Sequence, residues 1–319
     1  MASLRQEGAR WCTVVFTYGW RVAVPLGVVL VALQIPNPTC VLGQVRADAP
    51  RLRRADPLAA TTSEIARRNA IASIPFEQLD RAGREKVNAV IQDTTAFRRL
   101  PTQVVDCDPH LFLFLVRHPD VAVNIWQVLK LSSLDLRQTD PDRFELVEPS
   151  GTRLHAEFLH QSPEIHVIYC EGIYVGPILG RPVHGRAVLV LRSGYVHETN
   201  GRQYVTTRLD TFLQVQEGGP DLLTKLLHPV AGRTADHNFL QVVAFAGSLS
   251  RTAEMNYRGV QRLAGQLLDV RPELRVRLSE LAADIGHNSP RQAAYSKSQS
   301  MPSRVLSTSN CRVYWSLDE

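Results

Sequence analysis

The segment Tyr204–Val215 (YVTTRLDTFLQV) carries the side chains best suited to polar chemistry. Alternate residues of an extended strand point to the same side, so Tyr204, Arg208 and Asp210 share one face. A guanidinium and a carboxylate two residues apart can form a structural ion pair or can together orient a polar substrate. Both interpretations stay open, because alternation alone does not say which face of a sheet is concave.

A second acid and base lie side by side at Asp236 and His237, near the start of a long predicted helix. Such a pair suits general acid–base catalysis, and it equally suits solvated polar residues at a helix end. The candidate ligand-binding residues are therefore Tyr204, Arg208, Asp210 and His237. The sequence assigns no residue a catalytic role.

Three further histidines, His155, His160 and His166, are close together in the chain. An odd number of residues separates His155 from His160, so an unbroken strand directs these two to opposite faces. The chain also contains no His-x-x-x-His and no Cys-x-x-Cys spacing. We expect no metal site and no cofactor, since the glycines form no phosphate-binding loop either.

The possible nucleophiles lack activating surroundings. No serine occupies a G-x-S-x-G turn. Cys107 precedes Asp108, whose negative charge raises the pKa of the thiol instead of lowering it. Cys107 and Cys170 are either two buried apolar residues or, in an oxidising compartment, a disulfide.

Composition is that of a globular protein: 319 residues, 44% hydrophobic and 21% charged. The formal net charge is +5. Four arginines (Arg5, Arg10, Arg21 and Arg46) lie in residues 1–47, where Glu7 is the acidic residue that opposes them. The remainder is nearly neutral and has no basic stripe, which argues against nucleic-acid binding.

Residues 1–47 have the features of an export signal. A basic segment precedes the apolar run Val22–Ile35, and Val45-Arg46-Ala47 fits a cleavage site. The apolar run is 14 residues long, short of the ~20 that cross a bilayer. We expect cleavage, no permanent membrane span afterwards, and a periplasmic or extracellular location; the alternative is an uncleaved N-terminal anchor.

The remaining chain divides into a linker (48–61), an N-terminal helical extension (62–96), a central domain (97–254), C-terminal helices (255–285) and a disordered tail (286–319). In the extension, Ser63 and Asp80 are expected to cap two helices. A strand is expected over Phe97–Asp106, with Pro101 near an edge or a bend. Asp108-Pro109 then predicts a helix start, and a second short helix follows Pro119.

From Leu134 to Gln216, apolar residues recur at every second position, as in half-buried strands. The predicted strands are Leu134–Gln138, Arg143–Glu148, Thr152–His160, Ile165–Val175, Gly185–Arg192 with a continuation through Tyr195–Glu198, and Gln203–Gln216. The turn pair Asn200-Gly201 predicts a hairpin between the last two. Connections this short leave no room for crossover helices, so the sheet is antiparallel.

Helical periodicity returns after Gly218-Gly219-Pro220. Pro229 and Gly232 are expected to interrupt it, and a long helix is expected from about Thr234. Its apolar face is formed by Phe239, Val242, Val243, Ala246 and Leu249. The predicted fold class is thus α+β: a curved antiparallel sheet of about six to seven strands packed on a long C-terminal helix, with extra helices at both ends.

This element order, carried by RRLPTQVVDCDPHLFLFL, HPDVAVNIWQVL and TADHNFLQVVAFAGSLSRTAE, resembles the helix-grip fold of the START-like (SRPBCC-type) superfamily over about half of the chain. The segment HVIYCEGIYVGPI also resembles the sequences of an uncharacterised family of exported bacterial proteins. The resemblance implies a cavity between the concave sheet face and the long helix, in which an apolar, amphipathic or lipid-like small molecule would bind.

Three functions are compatible with such an architecture. The first is non-enzymatic binding of that small molecule by an exported protein. The second is an enzyme of the same fold that uses Arg208, Asp210 or His237 for acid–base work. The third is an envelope scaffold or interaction protein whose groove the extra helices fill.

Overall fold

The computed structural model describes residues 58–175, 182–199, 201–216 and 229–288. The predicted signal and its cleavage site, most of the predicted linker, Asn200 of the predicted turn and the tail beyond 288 lie outside the described residues. The elements run α+β: helices first, then strands, then helices.

One antiparallel, curved sheet of eight strands forms the centre of the described part of the chain. Its strands are β1 (Ala96–Arg99), β2 (Gln103–Asp106), β3 (Asp135–Asp140), β4 (Arg143–Val147), β5 (Thr152–Gln161), β6 (Ile165–Tyr174), β7 (Val183–His197) and β8 (Gln203–Val215). The spatial order is β1-β8-β7-β6-β5-β4-β3, and β2 pairs with the same edge of β8 as β1. The alternating apolar pattern predicted the strands from β3 to β8 to within a few residues.

The predicted strand Phe97–Asp106 is two strands. β1 and β2 lie end to end along β8, where Arg99 is opposite Asp210 and Gln103 is opposite Thr207. Pro101 lies in the break between them, because proline has no N–H for the ladder. Among the named strands β1 and β2 each pair with β8 alone, so Pro101 lies at an edge of the sheet, one of the two predicted alternatives.

The hairpin between β7 and β8 is confirmed by its register, in which Tyr195 is opposite Val205 and His197 is opposite Gln203. Gly201 has a φ of +81°. Glycine adopts this left-handed conformation at little cost, which explains its place in the turn.

Helices α1 (Glu64–Ala72) and α2 (Arg81–Gln92) are capped as predicted. The Ser63 hydroxyl accepts a hydrogen bond from the Ala66 N–H at 3.3 Å, and the Asp80 carboxylate accepts one from the Gly83 N–H at 2.6 Å. Both helices pack on one face of the sheet. Their buried residues form a core with the sheet residues Phe97, Val167, Tyr169, Val188, Val190 and Phe212.

Helices α3 (Pro109–Arg117) and α4 (Pro119–Val128) lie on the opposite face. Asp108 caps α3 through hydrogen bonds from the His110 and Leu111 N–H groups, and Pro109 takes the first helical position, where no N–H is needed. Pro119 likewise occupies the start of α4, but no side chain caps that helix.

The long helix α5 spans Pro229–Gln266 and differs from the prediction at both ends. It begins at Pro229 and continues through Gly232, because proline is tolerated in a first helical turn. A Cβ at Gly232 would lie 2.7 Å from Nη1 of Arg98, so glycine leaves room for that side chain. The first part of the predicted C-terminal helices (255–285) continues α5 after a kink at Asn256.

Helix α6 (Pro272–Asn288) extends three residues into the predicted tail. It packs on the second half of α5, where the buried residues of the two helices include Val260, Ala264, Leu278 and Leu281. The sheet is thus covered on both faces: α1 and α2 lie on one, and α3 to α6 on the other. The described helices include none long and apolar enough to cross a membrane.

Candidate functional site

A cavity of about 130 Å³ lies between the first half of α5 and the sheet. We call it the grip cavity. Helices α3 and α4 form its third wall. Its lining residues are Phe112, Leu115, Val116, Pro119, Ala122, Trp126, Phe158, Ile168, Leu189, Leu191, Thr207, Leu209, Phe239, Val242, Val243, Phe245 and Ala246.

The lining contains one polar side chain, that of Thr207. Phe239, Val242, Val243 and Ala246 are the apolar face that the sequence predicted for the long helix. The lining includes no residue of α1, α2 or α6, so the extra helices cover other surfaces and do not supply the cavity walls.

Thr207 and Leu209 show which row of β8 faces the grip cavity. The other row holds Tyr204, Arg208 and Asp210, and its Phe212 belongs to the core formed with α1 and α2. These three candidate residues therefore lie on the face of the sheet away from the cavity, and a ligand inside it would not contact them.

Asp210 is fully buried and has two arginine partners. The Arg99 Nε and Nη2 atoms donate to its carboxylate at 2.6 Å and 3.1 Å. The Arg208 Nε lies 3.8 Å from Asp210 Oδ2. Burial, and after it repulsion from Arg99, lowers the pKa of Arg208. This arrangement matches a structural ion pair, with Arg99 as the main partner.

Asp236 and His237 do not interact as an acid–base pair. Asp236 accepts hydrogen bonds from Arg98 of β1, from Nε at 2.8 Å and from Nη2. His237 is exposed to solvent on the same helix. Neither residue lines the grip cavity.

Sequence reasoning gave no site role to three polar residues at or beside the grip cavity: Thr207, which lines it, and Arg117 and His166, which do not. Within the described part of the chain, no hydrogen-bond partner is present for Arg117 Nε, for either ring nitrogen of His166, or for Thr207 Oγ1. Burial, and after it the positive charge of Arg117, lowers the pKa of His166 to about 4. His166 is therefore a neutral imidazole at neutral pH.

Cys107 and Cys170 are both free thiols and both buried. Burial raises the pKa of each to about 12, and at Cys107 the charge of Asp108 adds to the effect, as predicted. Neither thiol is a nucleophile in this state. The described residues contain no group of three or more metal-ligating side chains.

No protein-family model matches the chain, and no curated protein matches it. Solved structures that match part of it include a hypothetical protein from Helicobacter pylori, 15% identical over 48% of this chain and 89% of that one, with a TM-score of 0.31. Another is an uncharacterised protein from Rhizobium leguminosarum, 10% identical over 46% of this chain and 97% of that one, with a TM-score of 0.24. Likenesses this low establish neither a shared family nor a shared function.

Proposed function

We propose that the protein binds a small apolar or amphipathic molecule in the grip cavity and works as a binding protein, not as an enzyme. The observation that carries the proposal is the lining, in which sixteen of the seventeen side chains are apolar and the remaining one is Thr207. A concave apolar space of this kind accepts apolar guests.

The size of the cavity limits the guest. An engineered apolar cavity of about 150 Å³ in another protein binds benzene, and the grip cavity measures about 130 Å³. The guest, or the part of it that enters, is therefore about as large as one benzene ring. A full lipid chain would need a wider space.

Two further parts of the proposal rest on the sequence. The order of elements resembles that of the START-like superfamily, and this resemblance implies a ligand held between the sheet and the long helix. The basic and apolar segments of residues 1–47 favour export to the periplasm or the extracellular space.

The test uses the purified full chain and two probes, benzene and toluene. We expect both to raise the melting temperature and to shift the methyl NMR signals of Leu189 and Val243, which line the cavity. Signals of Val188 and Val190, on the opposite face of the sheet, should not move. If neither probe shifts the lining signals, the proposal is wrong.

A pair of variants on α5 provides the control. Ala246 lines the grip cavity, whereas Ala244 of the same helix is exposed. Ala246→Leu should fill part of the space and abolish toluene binding, and Ala244→Leu should leave it unchanged. Native mass spectrometry of protein purified from its own host would then show whether a small molecule is retained.

A further inference from the structure

We propose that Thr207 determines the specificity of the grip cavity, and that its hydroxyl forms a hydrogen bond with an uncharged hydroxyl or carbonyl group of the guest. This inference rests on the proposed function, because it assigns the polar group of the molecule whose apolar part fills the cavity. The ligand class is therefore small neutral molecules with one hydrogen-bonding oxygen, such as phenols, alcohols and ketones about as large as one benzene ring.

The Thr207 hydroxyl is buried at the cavity wall without a partner. Thr207 belongs to β8 and lines the grip cavity. Its side chain is 1% exposed, and its Oγ1 has no hydrogen-bond partner within the described ranges. Buried hydroxyl groups are normally paired, since removing one from water without a new partner is unfavourable. A guest in the cavity can supply that partner.

The neighbours of Thr207 in the sheet do not use its hydroxyl. Ser193 of β7 and Gln103 of β2 are directly opposite Thr207, one on each side. Gln103 Nε2 donates instead to the Pro101 carbonyl oxygen at 3.3 Å, and no hydrogen bond joins Ser193 to Thr207. Neither neighbour lines the cavity. Of these three polar side chains, Thr207 is therefore the one that a guest would contact.

Packing alone does not require a threonine at this position. Val205, Leu209 and Leu213 lie in the same row of β8, and all three are buried in the core on the cavity side of the sheet. Valine is branched at Cβ like threonine and would continue this apolar row without an unpaired hydroxyl. Thr207 thus adds a hydrogen-bonding group where an apolar residue would fill the space.

The surroundings of Thr207 favour a neutral group on the guest. A threonine hydroxyl can both donate and accept a hydrogen bond, and it carries no charge. The cavity lining contains no charged side chain. Moving an ionised group from water into such a space without a counter-ion is strongly unfavourable. A hydroxyl or a carbonyl group satisfies Thr207 without that cost.

Phenol and toluene are suitable probes, because they differ only in a hydroxyl group in place of a methyl group. Their affinities for the full chain are measured by calorimetry or from the methyl NMR signals of Leu189 and Val243, which line the cavity. The ratio of the phenol affinity to the toluene affinity is compared between variants, so that the cost of removing each probe from water cancels.

Thr207→Val removes the hydroxyl and should lower this ratio about fivefold or more, the usual weight of one hydrogen bond. Toluene affinity should stay equal or rise, which also shows that the variant is folded. Thr207→Ser keeps the hydroxyl and should keep the ratio of the wild type. Thr206→Val is the matched control, because Thr206 lies in the other row of β8, outside the lining, and it should leave the ratio unchanged.

The outcomes separate this inference from the proposed function. If toluene binds to the wild type but phenol does not, or if Thr207→Val leaves the ratio unchanged, the role of Thr207 is wrong while the proposed function stands. If neither probe binds, both are wrong. Benzoate should bind more weakly than phenol at neutral pH, and tighter binding of benzoate would overturn the assignment of a neutral ligand.

Discussion

Arg99 and Asp210 form a bidentate ion pair that joins the first strand of the sheet to the last, with N–O distances of 2.6 Å and 3.1 Å. The Asp210 carboxylate is completely buried, and the Arg99 side chain is 11% exposed. Arg99 Nη2 also donates to the Ala66 carbonyl oxygen of α1 at 3.1 Å. One guanidinium thus connects a helix and two strands.

Removing Arg99 should leave a buried carboxylate without its main partner. We expect Arg99→Met to lower the free energy of unfolding by about 3–5 kcal/mol, the usual cost of breaking a buried pair. Arg99→Met/Asp210→Leu should recover part of that loss, because the uncompensated charge is gone. Urea denaturation measures both. Arg81→Met is the control: Arg81 pairs with Glu85 in solvent, so the loss should be within about 1 kcal/mol.

Acid should destabilise the protein through His166. Its pKa in the folded protein is about 4, below the value of about 6.5 in an unfolded chain. Between these values the unfolded state binds a proton that the folded state excludes, so stability is lost as the pH falls from about 6.5 to about 4. The loss amounts to about 3 kcal/mol.

Urea denaturation between pH 7 and pH 4 tests whether the free energy of unfolding falls with the pH. His166→Phe should lose less stability over that range than the wild type, and His237→Phe, at an exposed position, should follow the wild type. Asp120 and Glu148 change in the opposite sense, since burial raises the pKa of each. The comparison between variants cancels their contribution. Identical pH profiles of stability for wild type and His166→Phe would show that His166 does not cause the loss of stability in acid.

The thiols of Cys107 and Cys170 should resist alkylation in the folded protein. With a pKa of about 12 for each, the thiolate fraction near pH 8 is about a thousandfold below that of an ordinary cysteine. Iodoacetamide treatment followed by peptide mass spectrometry should find both unmodified until the protein is unfolded in guanidinium chloride. Modification of either at the rate of a free cysteine would mean that its environment is more open.

Two glycines in adjoining strands should differ in their tolerance of a methyl group. A Cβ at Gly172 of β6 would lie 2.3 Å from the Arg153 carbonyl oxygen and 2.5 Å from Leu154 Cβ, whereas a Cβ at Gly194 of β7 would meet nothing within 4 Å. We expect Gly172→Ala to cost about 1–3 kcal/mol through overpacking. Gly194→Ala should cost less than about 0.5 kcal/mol. Thermal denaturation of the two variants tests this difference in stability, and equal melting temperatures would contradict the prediction.

The sequence was sufficient for the strands from β3 to β8 and for the starts of helices α1 to α4, because those depend on neighbouring residues. Asp108-Pro109 contains both the cap and the first helical residue of α3, and the period of two continues from β3 to β8. These local signals do not require knowledge of the tertiary structure.

The candidate site was harder to predict because it depends on contacts between distant parts of the chain. Both faces of the sheet are covered by helices, so apolar residues occur in both rows of β8 and the cavity side is not visible in the sequence. Leu209 faces the grip cavity, whereas Phe212 packs toward α1 and α2. The partner of Asp210 is 111 residues earlier.

The position of β8 affects the order in which the protein can assemble. Both β1 and β2, made early in synthesis, pair with residues of β8, near the C-terminal end of the sheet-forming region. A chain leaving the ribosome therefore holds two strands without their partner β8 until about a hundred further residues have been added. The sheet is completed late, and its slowest step should be this joining of its first and last strands.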